Sequence, residues 1–430
     1  MRRRVVITGM GVITPLGHSV GELFASQIEG RTAVGPISRF DASTLATTFA
    51  SEVKHFDLAK YLKDATRFAH SGLNTRFALG AAQQAIADAE LLDESHGDRG
   101  RIGVYLGVGE GQENFAGLIN STAAAVTSGS DRADPVRFIT ALRPVLDARN
   151  ESEVETHTTI GHLANLFALD GPTVSCLTAC AAGSQAIGEA AELIRTGDAD
   201  AMVAGGSQSM LHPLGVAGFT RLSALSQRND SPQTASRPFD LTRDGFVIGE
   251  GAGVVVLEEL EHAKARGATI YAELTGYGST ADAYRMTDPH PAGKGAIRCI
   301  ANALTDAGLR PIDIGYINAH GTSTAANDAM ETVAIKSVFG DYAHKIPVSS
   351  SKSMLGHLIA AAGAVELVIS VMAIRSGVLP PTTNYETKDP ACDLDYIPNA
   401  AREVRVDHVL SNSFGFGGQN VALVMSRYRA

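Results

Sequence analysis

Short β-branched segments alternate along the chain with longer alanine-rich segments. The β-branched segments include RVVITGM, RIGVYLGVG, DAMVAGGSQ, VVVLEEL and IGYINAH, and a typical alanine-rich segment is RFALGAAQQAIADAEL. Short apolar runs of this composition predict strands, whereas apolar positions three and four residues apart predict helices. Strands that alternate with helices in this way predict an α/β fold.

The alternating pattern occurs twice. The segment VSCLTACAAGSQAIGEAAELI (174–194) has a counterpart in VSSSKSMLGHLIAAAGAVELV (348–368), and GEGAGVVVLEEL (249–260) has one in GFGGQNVALVMS (415–426). Both members of the first pair are predicted to form a strand, a turn and a small-residue helix. We therefore expect two related halves, 1–268 and 269–430, which meet near EHAKARGATI. Because no Pro- or Ser-rich linker separates the halves, we expect them to pack tightly.

Two apolar segments resemble membrane signals. The segment VVITGMGVITPLG follows a basic MRRR start, but Gly9, Gly11 and Pro15 interrupt it and it is rich in β-branched residues, so it predicts a first strand rather than a signal peptide. The run from Leu358 to Ile374 contains Glu366 and consists half of small residues. We interpret this run as a buried helix.

Composition and charge limit the classes of function that this protein can have. The 430 residues are 44% hydrophobic, which predicts a folded globular protein, and 36 basic against 46 acidic residues give a net charge of −10. This balance argues against nucleic acid as a general partner. Four cysteines do not form a disulfide framework in so long a chain, so the expected compartment is the reducing cytosol.

The glycine-rich stretches do not predict a nucleotide site. GMGVITPLG lacks the GxGxxG spacing and a following helix, and GEGAG leads into a strand. Close packing of the backbone is the simpler reason for these glycines.

Cys180 lies where a strand that ends near Leu177 meets a predicted helix. The helix dipole and the free N–H groups at such a position favour thiolate over thiol, and the N–H of Cys180 faces the place where an oxyanion would form. Cys180 is therefore a candidate nucleophile, and a buried structural cysteine is the alternative. Cys176, inside the strand, fits the structural role better. A metal site at Cys-x-x-x-Cys is weaker still, because no further ligand lies nearby in sequence.

Two histidines in the second half are candidate partners of the nucleophile. His320 ends a strand before a Gly-Thr-Ser-Thr turn, and His357 is placed in the helix that corresponds to the Cys180 helix, five residues after Lys352. Taken alone, a histidine at a strand end is more often a structural residue, and a lone lysine before a helix is usually solvated. The repeat favours function, because pseudo-symmetric packing would bring Cys180 and His357 to one central cleft.

Four motifs in this order, TACAAGS, NAHGTST, SKSMLGH and SNSFGFGGQN, resemble the β-ketoacyl-[acyl-carrier-protein] synthases of the elongating type. The resemblance is densest from about Pro172 to the C-terminus and includes RPFDLTRDGFVIGEGAGVVVLEELEHAKARGA. It implies a duplicated thiolase-like fold, layered α/β/α/β/α with two mixed five-stranded sheets.

The resemblance also implies a decarboxylating Claisen condensation. Cys180 would receive the acyl group from the phosphopantetheine of acyl carrier protein. His320 and His357 would stabilise the enolate that forms as malonyl carrier protein loses CO₂, and its carbon would attack the acyl-Cys180 carbonyl. The chemistry would need no metal, nucleotide or flavin.

Further roles follow from the same resemblance. The N–H groups of Cys180 and Phe416 would form the oxyanion hole, and the Phe416 ring would gate the acyl pocket. Lys352 would pair with Glu331 and so set the electrostatics around the histidines. The pantetheine arm would be held by three threonines: Thr287, Thr322 and Thr324.

The pair of His320 and His357 distinguishes the predicted enzyme from other enzymes of the same fold. A degradative thiolase needs a second cysteine near the C-terminus, and the last twenty residues contain none. A priming synthase resembles Cys-His-Asn, whereas the third position here is His357. Two alternatives stay open: a specialised polyketide or polyene ketosynthase, and a catalytically idle partner subunit, against which the presence of Cys180 argues.

Two departures from the family concern the substrate. Glu110, in GVGEGQENF, stands where an apolar residue of the acyl pocket is usual. Either the backbone turns this carboxylate towards a polar partner, or the pocket is short or polar and the acyl group is unusual. The segment ESEVETHTTIGHLANLF lacks the Asn-Met pattern usual before its Gly-His pair. Chain length therefore stays open.

The expected partners are acyl carrier protein and a second copy of the chain. The homodimer follows from the family, in which central strands continue across a two-fold axis. A docking site for the acidic carrier protein is a hypothesis that rests on Lys60, Lys63 and Arg67, for which a solvated helix face is the alternative.

Overall fold

The computed structural model describes residues 2–92, 98–109, 111, 114–127 and 132–429, and these residues form an α/β fold as predicted. The described strands are β1 (Val5–Ile13), β2 (Val34–Pro36), β3 (Phe49–Ser51), β4 (Ile102–Val108), β5 (Thr173–Cys176), β6 (Ala201–Gln208), β7 (Gly251–Glu259), β8 (Ala272–Ala281), β9 (Tyr316–Asn318), β10 (Val348–Ser349), β11 (Val378–Leu379), β12 (Arg402–Glu403), β13 (His408–Phe414) and β14 (Gln419–Ser426).

Helices connect most of these strands. The described α-helices are α1 (Val20–Ile28), α2 (Leu73–Ala89), α3 (Phe115–Ala125), α4 (Pro135–Leu142), α5 (Ala148–Val154), α6 (Thr156–Phe167), α7 (Ala182–Thr196), α8 (Pro213–Arg221), α9 (Leu260–Ala265), α10 (Lys294–Ala307), α11 (Ala325–Phe339), α12 (Lys352–Leu355) and α13 (Ala362–Ser376). The five β-branched segments singled out above lie on β1, β4, β6, β7 and β9, and RFALGAAQQAIADAEL lies on α2.

The two expected five-stranded sheets are joined edge to edge. The strand order is β10-β9-β13-β14-β8-β1-β7-β6-β4-β5, with parallel and antiparallel neighbours. Strands β8 and β1 connect the halves through only two residue pairs, Val6 with Glu273 and Ile7 with Ala272. Each half therefore contributes five strands to one mixed sheet. The predicted boundary at 268/269 lies between α9 and β8.

Helices α7 and α13 form the middle layer of the molecule. Both contact strands of both halves, whereas α2 covers the outer face of the first half and α10 covers that of the second. Ile359–Ser376 is long and apolar enough to cross a membrane, but 83% of this segment is buried inside the protein. The apolar run identified from Leu358 to Ile374 is thus a core helix, as predicted.

The repeated segments have matching local structures. Each middle helix follows a single 3-10 turn, Ala179–Ala181 before α7 and Ile359–Ala361 before α13. Ala179 (φ 48°) and Ile359 (φ 50°), which begin these turns, both adopt left-handed backbone conformations. The two helices therefore begin in the same way.

The glycines of the first strand allow close packing, as expected. A Cβ atom on Gly9 would lie 2.2 Å from the Ala85 carbonyl oxygen, and one on Gly11 would lie 2.1 Å from that of Ala81. Both carbonyl groups belong to α2. Larger residues at these positions would force α2 away from the sheet.

Candidate active site

A cavity of about 320 Å³ lies between the beginnings of α7 and α11 and the loop after β13. Seven of the predicted site residues line it: Cys180, Thr287, His320, Thr322, Thr324, His357 and Phe416. Lys352 and Glu331 are buried and do not line the cavity. The fold thus brings residues from both halves of the sequence to one cavity.

Cys180 lies in the 3-10 turn before α7 and is 5% exposed. The backbone N–H groups of Cys180 and Phe416 both lie near its sulfur and act to lower the pKa of the thiol. Gly415 lets the Phe416 loop come this close, since a Cβ atom there would lie 2.9 Å from the Thr178 carbonyl oxygen. Two N–H donors therefore converge on the sulfur.

The expectation that the Cys180 thiolate is favoured is wrong for the resting protein. Burial raises the pKa of the Cys180 thiol to about 11, although the Lys352 charge and the two N–H groups act in the opposite direction. Loss of hydration outweighs these attractions because the sulfur is buried. Cys180 is thus a neutral thiol at pH 7.

His357 lies outside the helix, in contrast to the expectation. Gly356 has a φ of 69° and ends α12, and the next residue, His357, forms a bridge with Ile248. The N–H of His357 donates to the Val247 carbonyl at 2.7 Å, and its own carbonyl accepts from Gly249 at 2.8 Å. Backbone bonds to the first half therefore hold this histidine.

One hydrogen bond sets the proton position on His357. Its Nδ1 atom accepts the Ile359 N–H at 3.2 Å, so the neutral ring carries its proton on Nε2. This Nε2 atom is buried and has no partner within the described residues. The site therefore contains an unused N–H donor.

His320 follows β9 and is held through its main chain. Its N–H donates to Glu331 Oε1 at 2.9 Å, and the Gly321 N–H donates to Glu331 Oε2 at 2.8 Å. Its ring meets the His357 ring edge to face at 5.3 Å. One ring nitrogen of each histidine and the Cys180 sulfur lie within 4.8 Å of one another.

Lys352 pairs with a different carboxylate from the one expected. Its Nζ atom donates to Glu366 Oε1 at 2.5 Å and to the His320 carbonyl at 2.6 Å. The two oxygens of Glu331 instead accept N–H groups from His320, Gly321 and Asn412. Burial nevertheless raises the pKa of Glu331 to about 7.

Both histidines are neutral. Burial lowers the pKa of His320 and of His357 well below the usual range, and the Lys352 charge lowers both further. The site thus combines a thiol with neutral imidazoles and two backbone N–H groups, which suits acyl transfer to sulfur and stabilisation of an enolate oxygen. A thiolate and two imidazoles are also possible zinc ligands.

The cavity lining contains the three threonines predicted to hold the pantetheine arm and several residues to which the sequence assigned no role. The hydroxyl groups of Thr322 and Thr324 lie 2.9 Å apart, and the exposed Thr287 follows Met286. The Gly417 N–H donates to the Met286 carbonyl at 2.6 Å, which ties the Phe416 loop to the rim.

Further lining residues, to which the sequence assigned no role, are Asp244, Phe246, Asp282, Asn327 and Asn420. The sequence motif RDGF contains two of them, Asp244 and Phe246, and was the signal from which these two lining residues could have been found.

Two predictions about the surroundings have different outcomes. Glu110 lies outside the described residues, so its role in the acyl pocket stays a prediction. Lys60, Lys63 and Arg67 are exposed, but they occupy two short 3-10 turns, Leu58–Lys60 and Ala65–Phe68, and the loop between them rather than one helix face. Arg67 donates to Asn165 at 2.7 Å.

The fold places this protein in the thiolase-like class, with solved ketosynthases as structural neighbours. The chain matches the family "Beta-ketoacyl synthase, N-terminal domain" over residues 2–263 and "Beta-ketoacyl synthase, C-terminal domain" over residues 271–386. It belongs to the β-ketoacyl synthase family.

Named relatives extend over the whole chain. It is 47% identical to "3-oxoacyl-[acyl-carrier-protein] synthase 2" of Coxiella burnetii, with 99% of each chain covered, and 48% identical to the protein of that name from Synechocystis, with 100% and 99% covered.

Solved structures are similar too. A β-ketoacyl synthase from Burkholderia phymatum is 38% identical with a TM-score of 0.87, and 99% and 100% of the two chains are covered. A ketosynthase described in complex with a type II polyketide acyl-carrier protein is 37% identical with a TM-score of 0.87 over the full length of both chains.

Proposed function

We propose that this protein is an elongating 3-oxoacyl-[acyl-carrier-protein] synthase of fatty acid biosynthesis. The observation that carries the proposal is the convergence of the Cys180 sulfur with two neutral imidazoles and two backbone N–H groups in one cavity. Names of relatives at 42–48% identity over nearly the full chain support the same activity.

In the first half-reaction the Cys180 sulfur attacks the thioester carbonyl of acyl carrier protein. The N–H groups of Cys180 and Phe416 stabilise the oxyanion, the thiol of the carrier arm leaves with the proton of Cys180, and a C–S bond to the enzyme forms. Phe416 lines the cavity beside the sulfur, which supports its proposed role as a gate.

In the second half-reaction malonyl carrier protein loses CO₂. The Nε2 proton of His357, together with His320, stabilises the enolate oxygen. The enolate carbon attacks the acyl carbonyl, a C–C bond forms, the C–S bond breaks, and the released sulfur takes up one proton from solvent. Thr287, Thr322 and Thr324 hold the pantetheine arm, and Lys352 and Glu331 position the histidine-bearing loops.

The proposal also covers the oligomeric state, the compartment, the partner and the cofactors of the enzyme. We infer a homodimer in the cytosol, acyl carrier protein as the partner, and no metal or organic cofactor. The exposed residues Lys60, Lys63 and Arg67 stay candidates for carrier-protein docking. The presence of Cys180, His320 and His357 in one cavity argues against an idle subunit.

The test is intact-mass spectrometry after incubation with acyl-carrier thioesters of several chain lengths. We expect one acyl adduct on the wild type and none on Cys180→Ala, and CO₂ release and condensed product when malonyl carrier protein is added. Chelator-treated protein should behave in the same way, since no metal takes part. Absence of an adduct at every chain length would contradict the proposal.

A further inference from the structure

The lining of the cavity is negatively charged, although the proposed substrate is negatively charged too. Among the described residues that line it, three are aspartates, namely Asp244, Asp282 and Asp288, and none is lysine or arginine. The two histidines are neutral, as argued above. The pantetheine arm of the proposed substrate carries a phosphate, so its approach is unfavourable unless a cation lies near the rim.

The phosphate has to stay at the rim. A carrier protein is far too large for a cavity of about 320 Å³, so only the arm enters, with its sulfur at Cys180 and its phosphate outside. The solvent-facing lining includes Leu222 (50% exposed), Met286 (84% exposed) and Thr287. Of these three residues only Thr287 is polar, so we take its side chain to mark the part of the rim where a phosphate would rest.

Arg285 is the cation of this rim segment. Its guanidinium group contacts the Asp288 carboxylate at 3.1 Å and lies 5.4 Å from the centre of the Tyr284 ring. Arg228, on another loop, is already engaged by the Thr242 carbonyl at 2.6 Å. The side chains of Arg285 and Asp288 are 65% and 52% exposed, and exposed ion pairs of this kind are weak enough to exchange partners.

We propose that Arg285 recognises the phosphate of the 4′-phosphopantetheine arm and exchanges Asp288 for it when a substrate enters. A guanidinium group matches two phosphate oxygens at once, whereas its present contact with Asp288 is a single exposed ion pair. Asp288 then competes with the phosphate for Arg285, so removal of this carboxylate should strengthen the recognition of the phosphate. The inference rests on the proposed function and adds a specificity-determining residue to it.

The test compares small acyl donors with and without the phosphate on the full chain. Intact-mass kinetics give the second-order rate constant of Cys180 acylation by the acetyl and octanoyl thioesters of 4′-phosphopantetheine and of pantetheine, which lacks the phosphate. For each acyl group, the phosphate preference is the rate constant for the 4′-phosphopantetheine thioester divided by that for the pantetheine thioester. We expect Arg285→Gln to lower it about three- to tenfold, Arg285→Lys to retain part of it, and Asp288→Asn to raise it.

Arg310→Gln is the matched control. Arg310 forms an exposed pair with Asp313 at 2.9 Å with the same spacing in sequence, and neither residue lines the cavity. The inference is overturned if Arg285→Gln leaves the phosphate preference unchanged, slows both donors equally, or has the same effect as Arg310→Gln. If none of these small thioesters and no acyl-carrier thioester acylates the wild type, the proposed function fails together with this inference.

Discussion

Cys180, His320 and His357 are all buried, and burial acts in opposite directions on the two kinds of side chain. A thiol is neutral when protonated, so burial raises its pKa, whereas an imidazole is neutral when deprotonated, so burial lowers its pKa. All three groups therefore rest in neutral forms at pH 7. Substrate binding, rather than a standing thiolate, has to start the chemistry.

This state predicts how the reactivity of Cys180 depends on pH. Thiolate is the nucleophile, and its fraction rises about tenfold per pH unit below the thiol pKa of about 11. The rate of alkylation by iodoacetamide should therefore rise steadily from about pH 6 to about pH 9, with Cys180→Ala as the background. A plateau below pH 9 would show that the thiol pKa is much lower.

The buried pair of Lys352 and Glu366 predicts a non-additive effect on stability. Lys352→Met leaves the Glu366 carboxylate buried without its partner, which should lower the free energy of unfolding by about 3–5 kcal/mol. Replacing both residues, Lys352→Met with Glu366→Leu, removes both charges and should recover most of the loss. Urea unfolding of the two single variants and the double variant measures this coupling.

The same double variant separates stability from activity. Its acylation rate should stay low, because the Lys352 charge lowers the thiol pKa of Cys180 more than the Glu366 charge raises it, and because the Lys352 Nζ atom holds the His320 carbonyl. A double variant as active as the wild type would show that Lys352 serves the fold alone.

At the scale of elements, the beginnings of α7 and α13 touch where Gly183 faces the turn before α13. A Cβ atom on Gly183 would lie 2.7 Å from the Ala360 carbonyl oxygen and 3.2 Å from the Ala364 Cβ atom. Gly183→Ala should therefore separate the two turns. We expect a loss of about 1–3 kcal/mol in unfolding free energy and slower acylation of Cys180.

Gly161 provides the matched control for this substitution. It lies in α6, and a Cβ atom there would meet nothing within 4 Å. Gly161→Ala should stabilise the protein by about 0.5–1 kcal/mol, because alanine loses less entropy than glycine in a helix, and should leave acylation unchanged. Equal effects of the two substitutions in thermal unfolding and mass assays would contradict the packing argument.

At the scale of the whole molecule, β5 is an edge strand whose backbone pairs only with β4 among the described strands. Val174 on this strand is 36% exposed, and Leu177 just after it is 44% exposed. An unpaired edge with apolar side chains suits strand pairing across a two-fold axis. This surface is where we expect the second copy of the chain.

The homodimer predicts a particle of twice the chain mass of 45.0 kDa by light scattering. Val174→Lys should shift the mass towards one chain, because a lysine on the edge strand opposes pairing. Ile312→Lys changes an equally apolar residue that is 59% exposed elsewhere and should leave the dimer intact. A wild-type mass of one chain would contradict the prediction.

Much of this protein was predictable from local sequence. The strands β1, β4, β6, β7 and β9, the helix α2, the core helix α13 and the repeat of turn and helix follow from periodicity and residue type, which act over a few neighbouring residues. The motifs around Cys180, His320 and His357 likewise identified the family, since a family keeps such short segments in order along the chain.

Tertiary structure alone decided the rest. The neutral thiol of Cys180 and the pairing of Lys352 with Glu366 instead of Glu331 depend on burial and on which donors reach each carboxylate. His357 leaves the helix because backbone groups at positions 247 and 249, more than a hundred residues away in sequence, hold it in a bridge. The junction of β1 with β8 joins residues that are still further apart in sequence, such as Val6 and Glu273. Desolvation and long-range hydrogen bonds arise only in the folded chain, whereas the sequence determines the local preferences on which they act.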